Sequence, residues 1–192
     1  MRIPMICLTL LCAATLQGCF PLAATGLAAS ALMMDDRRTS GIYIEDENIE
    51  WKSLARTREK FRGVHISTTS YNLNVLLTGQ APTEEVKNEI AEVVRAIPSV
   101  KKINNEIAVS GNVSLAARGN DAIVTSNVKA RLLGNGKVSP NHIKVVTENG
   151  IVYLMGIVTQ QEGDAAAEVA RTTSGVARVI KVFEYIDQPP KR

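Results

Sequence analysis

The sequence predicts an α+β fold built from two tandem copies of one unit. Each copy is an αββαβ chain with two helices packed on a three-stranded mixed sheet. Three observations point there. The body repeats at an offset of 77 residues, so that His65-Ile66 matches His142-Ile143, Gly79 matches Gly156 and Glu85 matches Glu162. After a one-residue slip, Arg95 matches Arg171 and Val100 matches Val176. Each copy holds two β-rich runs split by a short turn, and each follows them with an amphipathic helix.

The elements justify themselves in order. In the second copy, HIKVVTENGIVYLMGIV is split by Asn149-Gly150, a dipeptide suited to the positive φ angles of a type I′ hairpin. In the first copy, HISTTSYNLNVLLTG is split by Asn72-Leu73, a weaker turn. Gly79 and Gly156 are expected to end the second strands and let the chain turn into a helix. The helix of the first copy has Pro82 in its first turn and Glu84 and Glu85 at its positive end. Val86, Ile90, Val93, Val94 and Ile97 keep one apolar face. In the second copy Thr159 and Glu162 have capping-box spacing, ahead of Ala166, Val169, Ala170 and Thr173. Pro98 and Gly175 break these helices, and Val100 to Val109 and Val176 to Ile186 are the closing strands. The acidic run Glu45-Asp46-Glu47 reads as a helix start, and Trp51, spaced helically with Leu54, Ala55 and Phe61, reads as core.

A chain of 192 residues, 45% hydrophobic and 21% charged, suits one or two small domains and excludes a large multi-domain enzyme. A formal charge of +3 is too small to indicate nucleic acid. After the first 34 residues no stretch approaches the ~20 apolar residues of a membrane span. That front end has the plan of a secretory signal, with Arg2, an apolar run from Ile6 to Ala14, then Leu16-Gln17-Gly18-Cys19. The last four residues resemble the bacterial lipobox. The resemblance implies a diacylglycerol thioether on Cys19, cleavage before it, and acylation of its new amino group by a chain such as palmitate. Phe20 follows, not the aspartate that retains enterobacterial lipoproteins in the inner membrane, so the resemblance implies the outer membrane, facing the periplasm. Cys7 and Cys12 leave with the signal, which removes disulfide, thiol and thiolate-metal chemistry from the mature chain. Residues 20–34 read as a tether along the lipid interface, with a short docking helix as the other option. The expected divisions are signal peptide 1–18, lipidated tether 19–40, first domain 41–111, second domain 112–187 and polar tail 188–192.

The αββαβ order, the steps Leu77-Thr78-Gly79 and Leu154-Met155-Gly156, and a small residue then valine before each last strand resemble the BON domain. Two such units behind a lipobox resemble the dual BON-domain outer-membrane lipoproteins. Asp36-Arg37-Arg38-Thr39-Ser40-Gly41 and Thr147 to Thr159 fit that group. The resemblance covers essentially the whole chain and is most specific in its second half.

Catalytic chemistry is sparse. His65 and His142 hold equivalent strand-start positions in different repeats, which repeat symmetry explains better than a shared metal or catalytic role. Gly134-Asn135-Gly136-Lys137 lacks Walker spacing and follows a helix, so it reads as a helix-terminating loop. No serine sits in a nucleophile elbow. Neither enzyme activity nor a cofactor is expected.

Surface remains. Residues 35–111 hold 11 Lys/Arg and 12 Asp/Glu, whereas residues 112–192 hold 10 and 7, so the second half suits an anionic partner better. In its first helix, Asp121 to Leu133, the residues Val124, Val128 and Leu132 make one stripe toward the sheet. Ile123, Ala130 and Leu133 fall off that stripe, beside Lys129. Periodicity leaves two readings open, an interfacial membrane surface or packing against the first domain. The resemblance implies anionic phospholipid binding (phosphatidylglycerol, cardiolipin) at this helix and its adjacent loops. An aromatic residue prominent in enterobacterial members is replaced here by Ile123, while Leu133, Gly134, Lys137 and Gly156 with Ile157 match neighbouring family positions. It also implies a role in envelope integrity, with enrichment at the division site. The competing reading is a periplasmic scaffold that docks an envelope or outer-membrane-assembly protein.

Overall fold

The computed structural model describes residues 36–111 and 114–189. The signal segment, Cys19, most of the tether and the last three residues lie outside them. In the first repeat, helix α1 (Ser40–Lys60) is followed by strands β1 (His65–Tyr71) and β2 (Asn74–Ala81), helix α2 (Glu84–Arg95), and strands β3 (Lys102–Asn105) and β4 (Ala108–Val109). In the second, helix α3 (Leu115–Asn135) leads through a short 3₁₀ turn (Pro140–His142) to strands β5 (Ile143–Glu148) and β6 (Ile151–Val158), helix α4 (Gln160–Arg171) and strand β7 (Arg178–Tyr185). The sheets run β1-β2-β3 and β5-β6-β7, with an antiparallel hairpin and a parallel closing strand in each. The α+β prediction holds in both halves.

The closing strand of the first repeat is broken where one continuous strand was expected. β3 and β4 both pair with β2, and between them Ile107 turns into the core, almost fully buried. In the second repeat β7 runs unbroken along the whole of β6.

Helix ends follow the sequence closely. Thr83 caps α2, which leaves Pro82 just ahead of the helix instead of in its first turn. Thr159 and Glu162 form the expected capping box on α4. Gly136 ends α3 in a left-handed conformation, so GNGK terminates the helix. Gly79 and Gly156 differ from expectation. Both lie inside strands, and the reason is close approach: a Cβ would stand 2.1 Å from the His65 carbonyl oxygen and 2.4 Å from that of His142.

Two cores sit between helices and sheets. One joins Ile49, Val75, Leu77, Ile90, Val94 and Ile97; the other joins Val124, Val128, Leu132, Val152, Leu154, Val169 and Ala170. A third cluster takes Tyr71 and Leu76 from the first repeat and Tyr153, Met155 and Ile157 from the second. Strand alternation puts these on the sheet faces away from the helices. The two sheets therefore pack back to back. Gln80 donates to Glu148 at 2.7 Å across that seam, and Lys144 of β5 pairs with Glu50 of α1 at 2.8 Å.

The acidic run at Glu45-Asp46-Glu47 is not a helix start. Thr39 caps α1 at Ser40, so Asp46 lies well inside the helix, facing the sheet. Buried there, it accepts from the backbone N–H groups of Asn72 and Leu73 and from the Ser70 hydroxyl. Asp121 of α3 accepts in the same way from the N–H groups of Asn149 and Gly150. Each hairpin turn is thus clamped by an aspartate of the preceding helix. Both turns place two residues at positive φ, including Leu73 at 66°.

Trp51 is not core. It is 69% exposed, because the buried face of α1 is Asp46, Ile49, Ser53 and Thr57, on the opposite side of the helix.

Candidate interaction surface

Helix α3 is apolar on two faces. Val124, Val128 and Leu132 are buried against the sheet, whereas Ile123 and Leu133 are 60% and 70% exposed. Ile123, Ser126, Ala130 and Leu133 recur at helical spacing on the face turned from the core, and all four are exposed. Ile123 and Leu133 do not pack against the first repeat. The rise of an α-helix puts them about 15 Å apart along one ridge.

The flanks of this ridge are basic and small. Lys129 and Lys137 are exposed, and among the described residues neither pairs with an acidic side chain. Gly134 is exposed beside Leu133, and Lys137 follows the left-handed Gly136. Arg131 is committed elsewhere. Its guanidinium donates to the Val169 carbonyl and the Thr172 and Thr173 hydroxyls at the end of α4, where a cation suits the helix dipole. The structure therefore brings together Ile123, Lys129, Leu133, Gly134 and Lys137. Gly156 and Ile157 stand apart, buried in β6, with Ile157 in the seam between the sheets.

His65 is half-buried at the start of β1, whereas His142, expected at a strand start, is buried at the end of the 3₁₀ turn just before β5. Among the described residues, no group of three or more His, Cys, Asp or Glu side chains is placed to hold a metal ion.

Sequence reasoning gave no structural role to Asp36-Arg37-Arg38. Arg37 forms a bidentate pair with Glu162 at 2.7 and 2.8 Å and donates to the Ile157 carbonyl. Arg38 pairs with Asp36 and Asp46 and lies over the ring of Tyr71, 4.1 Å from its centroid. Burial alone would lower the Arg38 pKa, but the two carboxylates reverse this and raise it, so the cation persists. The segment that leads into α1 thus staples the second repeat to the first. The signal was the doubled arginine itself, held in a stretch where a loose tether needs no fixed cations.

The staple has a pH signature. The Arg37 guanidinium, with help from the Thr159 N–H, holds the Glu162 carboxyl down at about 2. Its contribution is complete above the ordinary carboxyl range, near 4.5, and is lost as the pH falls toward 2. Arg37→Ala is expected to lower unfolding free energy at pH 7 by about 2–3 kcal/mol, since both side chains are largely buried. Urea unfolding of the two proteins at pH 7, 4 and 2 checks this, and the gap should narrow as the pH falls. A gap that is constant with pH refutes the assignment.

Comparison with known proteins places these features. The BON domain family matches residues 46–111 and 120–187. The chain is 38% identical over 176 residues to the outer membrane lipoprotein DolP of Haemophilus influenzae, covering 90% of this chain and 91% of that one. It is 35% identical to a 21 kDa hemolysin of Actinobacillus pleuropneumoniae, covering 79% of each. It is 27% identical to the osmotically-inducible protein Y of Escherichia coli, covering 72% of each. With a family match along both halves and the same αββαβ unit formed twice in space, the chain belongs to the BON-domain family.

Proposed function

We propose that the protein is a non-enzymatic lipoprotein of the outer membrane, held by acyl chains on Cys19 and facing the periplasm. Its second BON domain rests on anionic phospholipid through the outward ridge of α3, and it supports envelope integrity at the division site. The observation that carries this reading is the pair Ile123 and Leu133, both exposed on the side of the helix away from its own core. Similarity to an outer-membrane lipoprotein over 90% of the chain supports the location. Among the described residues no helix is long and apolar enough to cross a membrane.

The physics is additive. Each lysine near an anionic leaflet contributes on the order of 1 kcal/mol, and each buried aliphatic side chain about as much again or more. The ridge alone binds weakly, but an acyl anchor on the same chain raises its effective concentration, so weak binding is enough.

The chain from residue 20, without acyl groups, is expected to sediment with vesicles containing phosphatidylglycerol or cardiolipin and not with phosphatidylcholine alone. Ile123→Glu and Leu133→Glu should each weaken that binding about 10- to 30-fold, combining lost apolar area with charge repulsion. Their melting temperatures should stay unchanged, because both side chains are outside the core. Equal sedimentation with charged and neutral vesicles removes the reading.

A further inference from the structure

We infer that the first BON domain binds an extended peptide segment of a protein partner, in a groove between α1 and the free edge of β1. The groove has a volume of about 290 Å³ and is lined by Glu47, Glu50, Trp51, Leu54, Ile66 and Thr68 among others. β1 is the outer strand of its sheet, and among the described residues it pairs only with β2. The Ser70 N–H donates to the Glu50 carboxylate at 2.8 Å, so the polar backbone groups of Ser70 face away from β2. An antiparallel ladder alternates, which puts those of Thr68 and Ile66 on the same outward side. An added strand finds its hydrogen-bond partners there.

The side chains point to the same occupant. Trp51 and Leu54 supply an apolar wall beside Ile66, and Trp51 is mostly exposed. The fold does not need them. Superposing the clamping aspartates, Asp46 on Asp121, sets Trp51 on Ser126, Leu54 on Lys129 and Glu47 on Ala122. The second domain forms the same helix and hairpin without any of the three. A membrane is a poor fit, since Glu47 and Glu50 stand at the groove and the first half of the chain is net acidic. Glu50 already holds Lys144, which leaves the exposed Glu47 to meet a basic side chain of the incoming strand. The partner segment is therefore apolar in alternation and carries a lysine or arginine.

The test selects ten-residue peptides from a random displayed library against the chain from residue 20 and uses the enriched peptide, made synthetically, as the probe. Enriched sequences should be apolar in alternation with a basic residue, and binding should blue-shift the emission of Trp51, the single tryptophan. The Ile66 and Thr68 amides should become protected from solvent exchange. Trp51→Ala and Thr68→Pro should each weaken peptide binding at least tenfold, and Glu47→Lys should turn the preference from basic to acidic peptides. Sedimentation with anionic vesicles should not change in Trp51→Ala, which separates this result from the lipid reading. If Thr68→Pro fails to fold, Trp51→Ala and Glu47→Lys at exposed positions carry the test. Failure to enrich peptides, or binding indifferent to Trp51→Ala, overturns the proposal. So does lost vesicle binding in Trp51→Ala without lost peptide binding, or a dimer that this substitution dissolves.

Discussion

Gly156→Ala is expected to destabilise the second domain strongly. The new Cβ would sit 2.4 Å from the His142 carbonyl oxygen and 3.4 Å from Val158. The first contact is with backbone, not with a side chain that can swing away. Relief means separating β5 from β6 at the Ile143–Gly156 pair, which opens the ladder beside the core. Overpacking of this kind costs about 3 kcal/mol or more, against a total stability on the order of 5–15 kcal/mol. Gly79→Ala in the first domain is worse placed, with a 2.1 Å contact and a φ of 119°. Urea unfolding followed by circular dichroism measures both. A loss under about 1 kcal/mol for Gly156→Ala would contradict the close-approach argument. The result bears on function too. Lost vesicle binding in a Gly156 variant reports a broken sheet, whereas the same loss in Leu133→Glu reports a broken surface.

Asp46→Ala should be nearly as damaging. Its carboxylate satisfies two backbone N–H groups, the buried Ser70 hydroxyl and the Arg38 guanidinium at 2.9 Å. Removing it strands the two N–H groups and the hydroxyl in a site with little access to water and leaves Arg38 with Asp36 alone, at an expected cost of about 3–5 kcal/mol. The turn it clamps is also the less favourable one. Leu73 has positive φ, at a cost of about 1 kcal/mol, and keeps that conformation because its side chain lies in the core. Asp121→Ala should cost less, about 2–3 kcal/mol, since it frees two N–H groups and Gly150 adopts positive φ without strain. Asp46→Asn should fall between wild type and Asp46→Ala in the same urea series. Equal stability of Asp46→Ala and wild type would end the clamp argument.

Much of this architecture was legible because the chain states it twice. The Asn149-Gly150 turn, the Thr159–Glu162 capping box and the paired valine stripes are local signals that the second copy repeats where the first is vague. What was hidden depends on distance. A glycine at a close crossing looks the same in sequence as a glycine at a turn, and only the neighbouring strand separates the cases. Asp46 looked like helix-start chemistry because its partners lie 24 to 27 residues further along. Trp51 was misread for a related reason. Leu54, Ala55 and Phe61 gave it an apolar neighbourhood, but the true inward stripe contains Asp46, Ser53 and Thr57, polar residues that a hydrophobicity pattern discounts. Spacing alone set Ile123 and Leu133 off the stripe of Val124, Val128 and Leu132, but whether they met solvent or the first domain depended on how the two halves pack, and both are exposed.

The back-to-back seam is lopsided, and that asymmetry distinguishes its two sides. The second domain offers Tyr153, Met155 and Ile157, while the first answers with Tyr71, Leu76 and, on the same strand face as Leu76, the buried Thr78 and Gln80. Identical halves would match a stranger as well as a sibling and invite exchange between molecules. Here the greasy plate is covered by the unlike half it is tied to. The apolar strip of each sheet is spent inside the molecule, on the other half of the same chain.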